Sequence, residues 1–298
     1  MSVLVTGATG FIGTRLLQYL DGTFGLDNVV VLASREVEGV RTFLHKGWTY
    51  STEELKSILT DNDIVFHLGA TTPQKVEDFK KTDMFTANID STRYLLHHLP
   101  YNPKQIIFGS TIDVYDRSTN EPVMEETPIQ SNHAYGLSKY YCELLVKEYC
   151  AANGCRCKIA RIGNVYGPGE EKYEKLVGSF IRKCKADEDL VLFGDGKLIR
   201  NLIYVEDLCR LLVQLSSVES DCIVNLVSNQ EVTIKQIAEC VISTTHSRSN
   251  IVLKDKAGRN DLFNSSRKNS LLGETETPIG EGIEQTVQYM EKQVYELR

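Results

Sequence analysis

The fold is decided near the start of the chain by Val3-Leu4-Val5-Thr6-Gly7-Ala8-Thr9-Gly10-Phe11-Ile12-Gly13. A β-branched run enters a glycine-rich turn, and a helical pattern begins near Phe11. Gly7 permits a tight turn, Gly10 lets the backbone approach a pyrophosphate, and Gly13 allows close packing of helix on strand. Backbone N–H groups and the positive end of the helix dipole then face the phosphates. The spacing, G-x-x-G-x-x-G, predicts a dinucleotide-binding turn formed by Gly7, Thr9, Gly10, Phe11, Ile12 and Gly13.

Short apolar runs alternate with helical patterns through the first half of the chain. The predicted strands are Val3–Val5, Val29–Leu32, Ile64–Leu68, Ile106–Phe108 and Cys157–Ile162. The predicted helices begin near Phe11, Thr52, Asp83 and His133. Strands separated by helices indicate right-handed βαβ crossovers and a parallel sheet. The pattern therefore predicts an α/β fold, a Rossmann-type doubly wound parallel sheet covered on both faces.

The pattern changes after about Tyr166, where Gly167-Pro168-Gly169 interrupts the chain. Later helical patterns span Lys172–Cys184, Val205–Leu215 and Thr233–Thr244. The polar stretch 250–270 is predicted to be irregular and could close over a ligand. We expect a dinucleotide-binding domain over 1–165 and a smaller substrate-binding lobe over 166–298, with some later segments returning strands to the first sheet.

Composition and charge argue against several classes of protein. The chain has 298 residues and a formal net charge of −7, whereas sequence-independent nucleic-acid binding needs surplus Lys and Arg. No apolar run approaches the roughly 18–20 residues of a membrane span. Met1 leads directly into the first predicted strand, so we expect no targeting segment and a cytoplasmic protein.

The chain has eight cysteines without a C-x-x-C pair, and Cys155 and Cys157 form the only close pair. A chain of this length needs no disulfide staples, so we expect reduced thiols. Cys142 and Cys150 fall within an apolar helical pattern and are expected in the core. No metal site is predicted.

The end of the second predicted strand bears on the choice between the two nicotinamide dinucleotides. An Asp or Glu there would bind the ribose hydroxyls of NAD and repel the 2′-phosphate of NADP. Here the strand runs into Ala33-Ser34-Arg35, with no acid at that place. Ser34 and Arg35 could hold a 2′-phosphate, although Glu36 follows at once and Arg35 could be an ordinary solvated loop residue. The sequence therefore favours NADP over NAD.

Tyr135 and Lys139 are one helical turn apart in Tyr135-Gly136-Leu137-Ser138-Lys139. Residues i and i+4 share a helix face, so the phenol and the ammonium project to the same side. The lysine and the positive charge of an oxidised nicotinamide would lower the phenol's pKa from its ordinary value of about 10. The tyrosine could then take a proton from an alcohol or return one to a carbonyl. Such a pair also occurs by chance, and its position after the dinucleotide-binding turn favours a catalytic site.

A hydroxyl motif, Ser110-Thr111, follows the predicted strand that ends near Phe108. Ligands of such folds bind at the carboxyl ends of the strands, so a hydroxyl there could hydrogen-bond a reacting substrate oxygen. Turn capping is the alternative role for either residue.

Together these motifs resemble the extended short-chain dehydrogenase/reductase superfamily, in its nucleotide-sugar epimerase/dehydratase branch. The resemblance runs from Val3 to about Glu206 and includes the glycine-rich turn, Ser110-Thr111, and Tyr135 with Lys139. It also rests on His67-Leu68-Gly69-Ala70, Val114-Tyr115, Arg161-Ile162-Gly163-Asn164-Val165-Tyr166-Gly167-Pro168-Gly169, Phe193-Gly194-Asp195-Gly196 and Arg200-Asn201-Leu202-Ile203-Tyr204-Val205-Glu206-Asp207.

The resemblance implies roles for the matching residues. Tyr135 would be the acid/base, Lys139 would hold the nicotinamide ribose, and Thr111 would be the catalytic hydroxyl, with Ser110 its less favoured neighbour. The further residues implied at the cofactor are Leu68, Gly69 and Ala70. The residues implied at the substrate's phosphates are Asn164, Arg200 and Arg259. The helices that begin near Asp83 and His133 resemble those that form the four-helix bundle of the family's homodimers.

The chain also departs from the family's pattern. Dehydratases of this branch carry Asp-Glu directly after the catalytic threonine, where this chain has Ile112-Asp113. The general acid that expels a hydroxyl is therefore missing, although Asp113 could still act at the substrate as a base. The acidic residue that often holds adenine is also absent, since Trp48-Thr49-Tyr50-Ser51 occupies its region. These departures favour 4-epimerisation or 4-keto reduction over 4,6-dehydration.

Three functions are compatible with these residues. The favoured one is an NAD(P)-dependent epimerase or ketoreductase of a nucleoside-diphosphate sugar. The alternatives are an NADP-dependent reductase of a non-sugar carbonyl and a non-catalytic dinucleotide sensor on the same fold. The segment from Gly194 to Asp207, with Arg200, favours a diphosphate substrate. The presence of both Tyr135 and Lys139 disfavours a sensor.

Overall fold

A computed structural model of the chain describes residues 2–47, 50–57, 59, 63–74, 78, 83–116 and 121–296. The chain divides into two compact units. The first consists of Met1–Asp116, Glu125–Ile162 and Cys209–Leu226, and the second of Arg117–Met124, Gly163–Leu208 and Val227–Arg298. The assignment of cofactor and substrate binding to separate domains stays a prediction.

Strands and helices alternate along the chain. The strands are β1 (Val3–Thr6), β2 (Val29–Ala33), β3 (Arg41–Leu44), β4 (Ile64–His67), β5 (Gln105–Thr111), β6 (Arg156–Ile162), β7 (Asn164–Tyr166), β8 (Leu190–Phe193), β9 (Ile199–Tyr204), β10 (Cys222–Leu226), β11 (Glu231–Thr233) and β12 (Ile251–Lys254). The helices are α1 (Phe11–Phe24), α2 (Thr52–Lys56), α3 (Asp83–His98), α4 (Ala134–Asn153), α5 (Leu176–Lys185), α6 (Val205–Leu215), α7 (Ile234–Thr245), α8 (Ser266–Leu272) and α9 (Ile279–Glu296).

The first unit is built on a sheet in the order β10-β6-β5-β4-β1-β2-β3. Every neighbouring pair in it is parallel. Val3, Leu4 and Val5 are all fully buried, which requires cover on both faces of β1. The predicted Rossmann-type parallel α/β sheet is confirmed.

The core of the first unit joins the sheet to α4. Leu4 and Ile106 share one cluster of buried residues with Cys142, Val146 and Cys150. The expectation that Cys142 and Cys150 lie in the core is confirmed. All eight cysteines lie in the described part of the chain and are thiols.

The second unit holds two small sheets. One has the order β11-β9-β7, with β9 antiparallel to β11 and parallel to β7, and the other pairs β12 with β8 in parallel. The first of these sheets positions two of the predicted substrate residues, because Asn164 begins β7 and Arg200 lies in β9.

Two predictions for this half of the chain were wrong. The helix predicted over Lys172–Cys184 begins only at Leu176, because left-handed Gly169 starts a short 3-10 turn and Tyr173 and Lys175 then adopt extended conformations. The stretch 250–270 is not irregular throughout, since Ile251–Lys254 pairs with β8 and α8 begins at Ser266. The sequence patterns also did not predict β3, any of β7–β12 by its bounds, α8 or α9.

Candidate active site

The glycine-rich turn joins β1 to α1 in a conformation that glycine alone fits well. Gly7 has a φ of 79°, and a Cβ on Gly13 would lie 2.1 Å from the carbonyl oxygen of Gly7. Gly10 donates its N–H to that oxygen at 3.0 Å. Helix α1 has no side-chain cap at Gly10 and no acidic residue in its first turn. This positive helix end fits the pyrophosphate of a dinucleotide.

The loop after β4 packs directly against this turn. A Cβ on Gly7 would lie 2.6 Å from the nitrogen of Gly69, and Gly69 donates its N–H to Thr6 Oγ1 at 3.0 Å. Leu68 and Ala70, the flanking residues, are half-buried. The structure therefore brings together the two segments that were predicted separately to hold the cofactor.

The residues predicted to select NADP follow β2. Ser34 and Arg35 are exposed, and Nη2 of Arg35 lies 3.5 Å from the carbonyl oxygen of Thr9 in the glycine-rich turn. The Arg35 side chain thus contacts the glycine-rich turn. No acidic residue stands at the end of β2, where an Asp or Glu would repel a 2′-phosphate. Trp48 and Thr49, which occupy the region of the family's adenine-binding acid, lie outside the described residues.

Helix α4 carries Tyr135 and Lys139 in its first turns. His133 caps the helix, since its Nδ1 accepts the N–H of Gly136 at 3.1 Å. A Cβ on Gly136 would lie 2.2 Å from the carbonyl oxygen of Asp113. The glycine between the two predicted catalytic residues thus allows α4 to approach the segment that follows β5.

Tyr135 is half-buried and hydrogen-bonded to Thr111. Burial raises the pKa of the Tyr135 phenol well above its ordinary value, and the negative charge of Asp113 raises it further, against the hydrogen bond from Thr111. In the protein alone the phenol is therefore the protonated, donating form at neutral pH. The causes that set this pKa do not include Lys139, and the lowering expected from a charged nicotinamide stays a prediction.

Lys139 is almost completely buried, with its ammonium 4.2 Å from the centroid of the Phe108 ring. Burial lowers the pKa of Lys139 to about 8, opposed by the nearby Cys142 and Glu143. Lys139 is thus a cation with little access to water, on the same face of α4 as Tyr135.

Ser110 and Thr111 have different surroundings. Thr111 Oγ1 accepts the N–H of Asp113 at 3.2 Å, which is the capping role, and Thr111 is also hydrogen-bonded to Tyr135. Its predicted contact with a substrate oxygen stays a prediction. Ser110 instead donates to Glu143 Oε1 at 2.6 Å. Glu143 in turn accepts two hydrogen bonds from Arg161, at 2.9 and 2.7 Å, and both side chains are buried. Glu143 therefore links α4 to β5 through Ser110 and to β6 through Arg161. The sequence analysis did not predict this Glu143–Arg161 ion pair.

The position that distinguishes dehydratases holds a buried apolar residue. Ile112 is 2% exposed and presents no carboxylate, whereas Asp113 is half-buried and lies close enough to Tyr135 to act on its pKa. One acidic residue, not two, therefore accompanies the tyrosine and threonine.

The second unit brings together the three residues predicted at the substrate's phosphates. Arg200 donates through Nη1 to the carbonyl oxygens of Ile199 and Arg259, at 2.8 and 2.9 Å. Its Nε lies 4.0 Å from a carboxylate oxygen of Asp261, which also accepts a hydrogen bond from Asn164 at 3.5 Å. Arg259 itself is exposed.

Asp261 is the residue of this cluster that sequence reasoning missed. The sequence offered one indication of its place in the cluster, because Asp261 is only two positions after Arg259, which was expected at the substrate's phosphates. Its backbone position depends on a distant strand, because Asp261 donates its N–H to the carbonyl oxygen of Ile199 at 3.1 Å.

Within the described ranges, no group of three or more His, Cys, Asp and Glu side chains could hold a metal ion. None of the helices in the same ranges has the length and hydropathy that crossing a membrane requires.

Comparison with known proteins assigns the class and then the family. A family model described as the NAD dependent epimerase/dehydratase family matches residues 3–226. UDP-N-acetyl-alpha-D-glucosaminuronate decarboxylase of Bacillus cytotoxicus is 31% identical over 278 residues, covering 84% of this chain and 82% of the relative. The chain is therefore an enzyme of the extended short-chain dehydrogenase/reductase class. It belongs to the NAD-dependent epimerase/dehydratase family, as the resemblance implied.

Solved structures share this fold over nearly the whole chain. UDP-glucose 4-epimerase of Thermotoga maritima, in a structure with UDP-glucose, has a TM-score of 0.86 at 24% identity and covers 99% of this chain and 100% of its own. UDP-glucuronic acid 4-epimerase of Bacillus cereus, in complex with NAD, has a TM-score of 0.84 at 22% identity, with coverages of 98% and 97%. At these identities the likeness establishes the fold.

Proposed function

We propose that the chain oxidises and reduces a sugar carbon of a nucleoside-diphosphate sugar, as a 4-epimerase or a 4-ketoreductase. The observation that carries the proposal is the hydrogen bond between Thr111, at the end of β5, and Tyr135, on the face of α4 that also bears Lys139. Asp113 stands beside this pair and Ile112 replaces the dehydratase acid.

The dinucleotide would be held by the turn from Gly7 to Gly13 and by Leu68, Gly69 and Ala70, with Lys139 at its nicotinamide ribose. When bound, it supplies acceptance and donation of hydride at the sugar carbon. Tyr135 would take the proton of the sugar hydroxyl, or return it to the carbonyl oxygen, while Thr111 donates to the same oxygen. Lys139 would stabilise the phenolate form of Tyr135 by its charge.

The sugar's diphosphate would be bound in the second unit. Arg200 offers a guanidinium whose planar fork suits a diphosphate, and Asn164 and Arg259 add donors to the same cluster. The sugar stays bonded to its diphosphate throughout either reaction, so these residues would serve substrate recognition and take no part in the proton transfer.

The missing acid at 112 separates epimerisation and reduction from dehydration. Elimination of the C6 hydroxyl needs a group that protonates it, and Ile112 has no proton to give. Asp113 would instead accept a hydrogen bond from a sugar hydroxyl near Tyr135.

The second candidate is a decarboxylase of a nucleotide-linked uronic acid, because the 31% identical relative is a decarboxylase. After oxidation at C4, the C5–C6 bond would break, carbon dioxide would leave, and C5 would take a proton. Hydride would then return to C4. This reaction uses the same tyrosine and needs no acid at 112.

One experiment separates these reactions. The purified enzyme is incubated in D2O with UDP-glucose or UDP-glucuronic acid and NAD or NADP, and separately with a dTDP-4-keto-6-deoxy sugar and NADH or NADPH. The products are analysed by NMR. Epimerisation gives an inverted C4 without deuterium at C5, and keto reduction consumes stoichiometric reduced cofactor. Solvent deuterium at C5 with loss of C6 from UDP-glucuronic acid would establish the decarboxylase. A 4-keto-6-deoxy product with deuterium at C5, formed from UDP-glucose, would contradict the proposal.

The finer proposal for the cofactor is a preference for NADP over NAD, supported by the exposed Ser34 and Arg35 and by the lack of an acid after β2. We expect NADPH to bind more tightly than NADH in calorimetry. Arg35→Ala should weaken NADPH binding by about tenfold and leave NADH within about threefold, since one charge-assisted contact is lost. Arg41→Ala, a nearby arginine on β3, is the matched control. Tighter binding of NADH by the wild type would contradict the preference.

A further inference from the structure

We propose that His67 is a positioning residue for the cofactor. As a neutral imidazole protonated on Nε2, it fixes the Thr6 hydroxyl, and that hydroxyl fixes the Gly69 amide of the cofactor loop. The inference rests on the proposed binding of a dinucleotide at the glycine-rich turn. His67 itself is fully buried and acts through its neighbours.

The contacts begin at the loop. Gly69 donates its N–H to Thr6 Oγ1 at 3.0 Å, and the same Oγ1 lies 2.7 Å from His67 Nδ1. On the other side of the ring, His67 Nε2 lies 3.0 Å from Thr92 Oγ1 on α3. A continuous hydrogen-bonded chain thus runs from the loop through the imidazole to α3.

The far end of the chain fixes its direction. Thr92 donates to Cys142 Sγ at 3.3 Å, and Cys142 donates to the carbonyl oxygen of Asn88 at 3.3 Å. Thr92 therefore accepts from His67, which puts the ring proton on Nε2. Nδ1 is then an acceptor and takes the hydroxyl proton of Thr6. The opposite tautomer would leave that hydroxyl without an acceptor in the chain.

The charge around the ring favours the same neutral form. Burial lowers the pKa of His67 to about 3, and the positive charge of Lys139 lowers it further. The groups that meet the ring from α3 and β1 are hydroxyls, and the Phe108 ring on β5 lies 5.4 Å away, centroid to centroid. An imidazolium would donate to Thr6 Oγ1 as well as to Thr92 Oγ1, and the Thr6 hydroxyl proton would then have no acceptor in this chain.

The loop is sensitive to this anchor because it is held tightly. The Gly69 nitrogen lies so close to Gly7 that no side chain fits between them. Two residues after Gly69, Thr71 is held by Asn88 on α3. The Asn88 side chain accepts the N–H of Thr71 at 2.7 Å and donates to the Thr71 carbonyl oxygen at 3.1 Å. Without the Thr6 contact, the Gly69 amide would lose its partner and the wall of the dinucleotide turn would shift.

Two amide substitutions separate the two sides of the ring. In His67→Asn, the side-chain oxygen can occupy the place of Nδ1 and still accept from Thr6. In His67→Gln, the amide reaches the place of Nε2 and keeps only the Thr92 side. We expect His67→Gln to raise the Kd for NADH and NADPH by about tenfold and His67→Asn by less than about threefold, with similar losses in Tm.

Thr6→Val provides a second route to the same test. It should weaken dinucleotide binding as much as His67→Gln, and the double variant should show no further loss, because both remove one link. Nitrogen-15 NMR of the wild type should show an Nε2–H imidazole that does not titrate between about pH 5.5 and 8.

Three results would overturn this inference and leave the proposed function intact. They are equal increases in Kd for His67→Asn and His67→Gln, a further loss of binding when Thr6→Val is added to His67→Gln, and an imidazole protonated on Nδ1. A wild type that binds neither NADH nor NADPH would overturn the proposed function as well.

Discussion

Burial acts in opposite directions on the two ionisable residues of α4 that the sequence singles out. It raises the pKa of Tyr135 and lowers that of Lys139 to about 8. In both residues burial therefore stabilises the neutral form relative to the charged form. The sequence predicted which residues share a helix face, because i and i+4 spacing is local. It could not predict the size of the burial effects, because these depend on packing against β5.

The cost of burying Lys139 should appear in the pH dependence of stability. Its pKa is lowered from 10.5 to about 8, so the unfolded chain holds this proton more tightly. The penalty is complete below about pH 8 and vanishes as the pH rises through about 10.5. We expect Lys139→Met to raise the free energy of unfolding by up to about 3 kcal/mol more at pH 7 than at pH 10.5.

Urea denaturation of the wild type and of Lys139→Met at the two pH values measures this difference, and comparison of the two proteins cancels other titrating groups. The same variant should lose turnover. A gain in stability that is equal at both pH values would show that the lysine charge carries no penalty.

Ser110 and Thr111 are adjacent in sequence but should differ in function. Thr111→Val removes the hydroxyl that contacts Tyr135 and should lower kcat by about a hundredfold, whereas Thr111→Ser should restore most of it. Ser110→Ala removes only the bond to Glu143 and should cost about 1–2 kcal/mol of stability with kcat within a few-fold. Steady-state kinetics and denaturation of the three variants test this, and a larger loss of kcat in Ser110→Ala would reverse the assignment.

At the scale of elements, α4 links the candidate site to the sheet. Tyr135, Lys139 and Glu143 lie at successive i+4 positions, and Glu143 is anchored by Arg161 of β6. The opposite face of the helix leaves Leu137, Tyr141 and Leu144 exposed, at 37%, 50% and 41%. Their spacing forms an apolar stripe that a second helix could cover. We propose that this face, with α3, forms the homodimer.

A charge on this stripe should separate the subunits. Leu144→Glu would place a carboxylate in the proposed interface, so we expect a dimer-to-monomer shift in sedimentation velocity with unchanged circular dichroism. Leu271→Glu, on the exposed side of α8, is the matched control and should leave the assembly state unchanged. A wild type that sediments as a monomer would contradict the proposed interface.

The elements also mark what local sequence can and cannot predict. Val205–Leu215 is a helix over the residues predicted, because its apolar spacing is strong and uninterrupted. The helix predicted from Lys172 begins four residues late, because the turn at Gly169 determines the path of the following segment. Strand β12 was missed because its partner, β8, lies about 60 residues earlier in the chain, and short strands depend on such pairing.

At the scale of the whole molecule, the chain leaves the first unit and returns to it. Residues 209–226 rejoin the first unit, and β10 extends its sheet beside β6. The sequence predicted such a return without naming the segment, since no local pattern specifies which sheet a strand joins. The same limit hid Asp261, which reaches Asn164 and Arg200 only through the fold of the second unit.

The central claim is that Tyr135 moves the proton while hydride is exchanged at a sugar carbon. The most direct test is Tyr135→Phe, with turnover of the substrate identified in D2O and calorimetric binding of the preferred dinucleotide measured on the same preparation. The account predicts that turnover falls by at least about a thousandfold while the Kd for the dinucleotide stays within about threefold, because only the phenolic oxygen is lost. Turnover near that of the wild type, with binding intact, would contradict it.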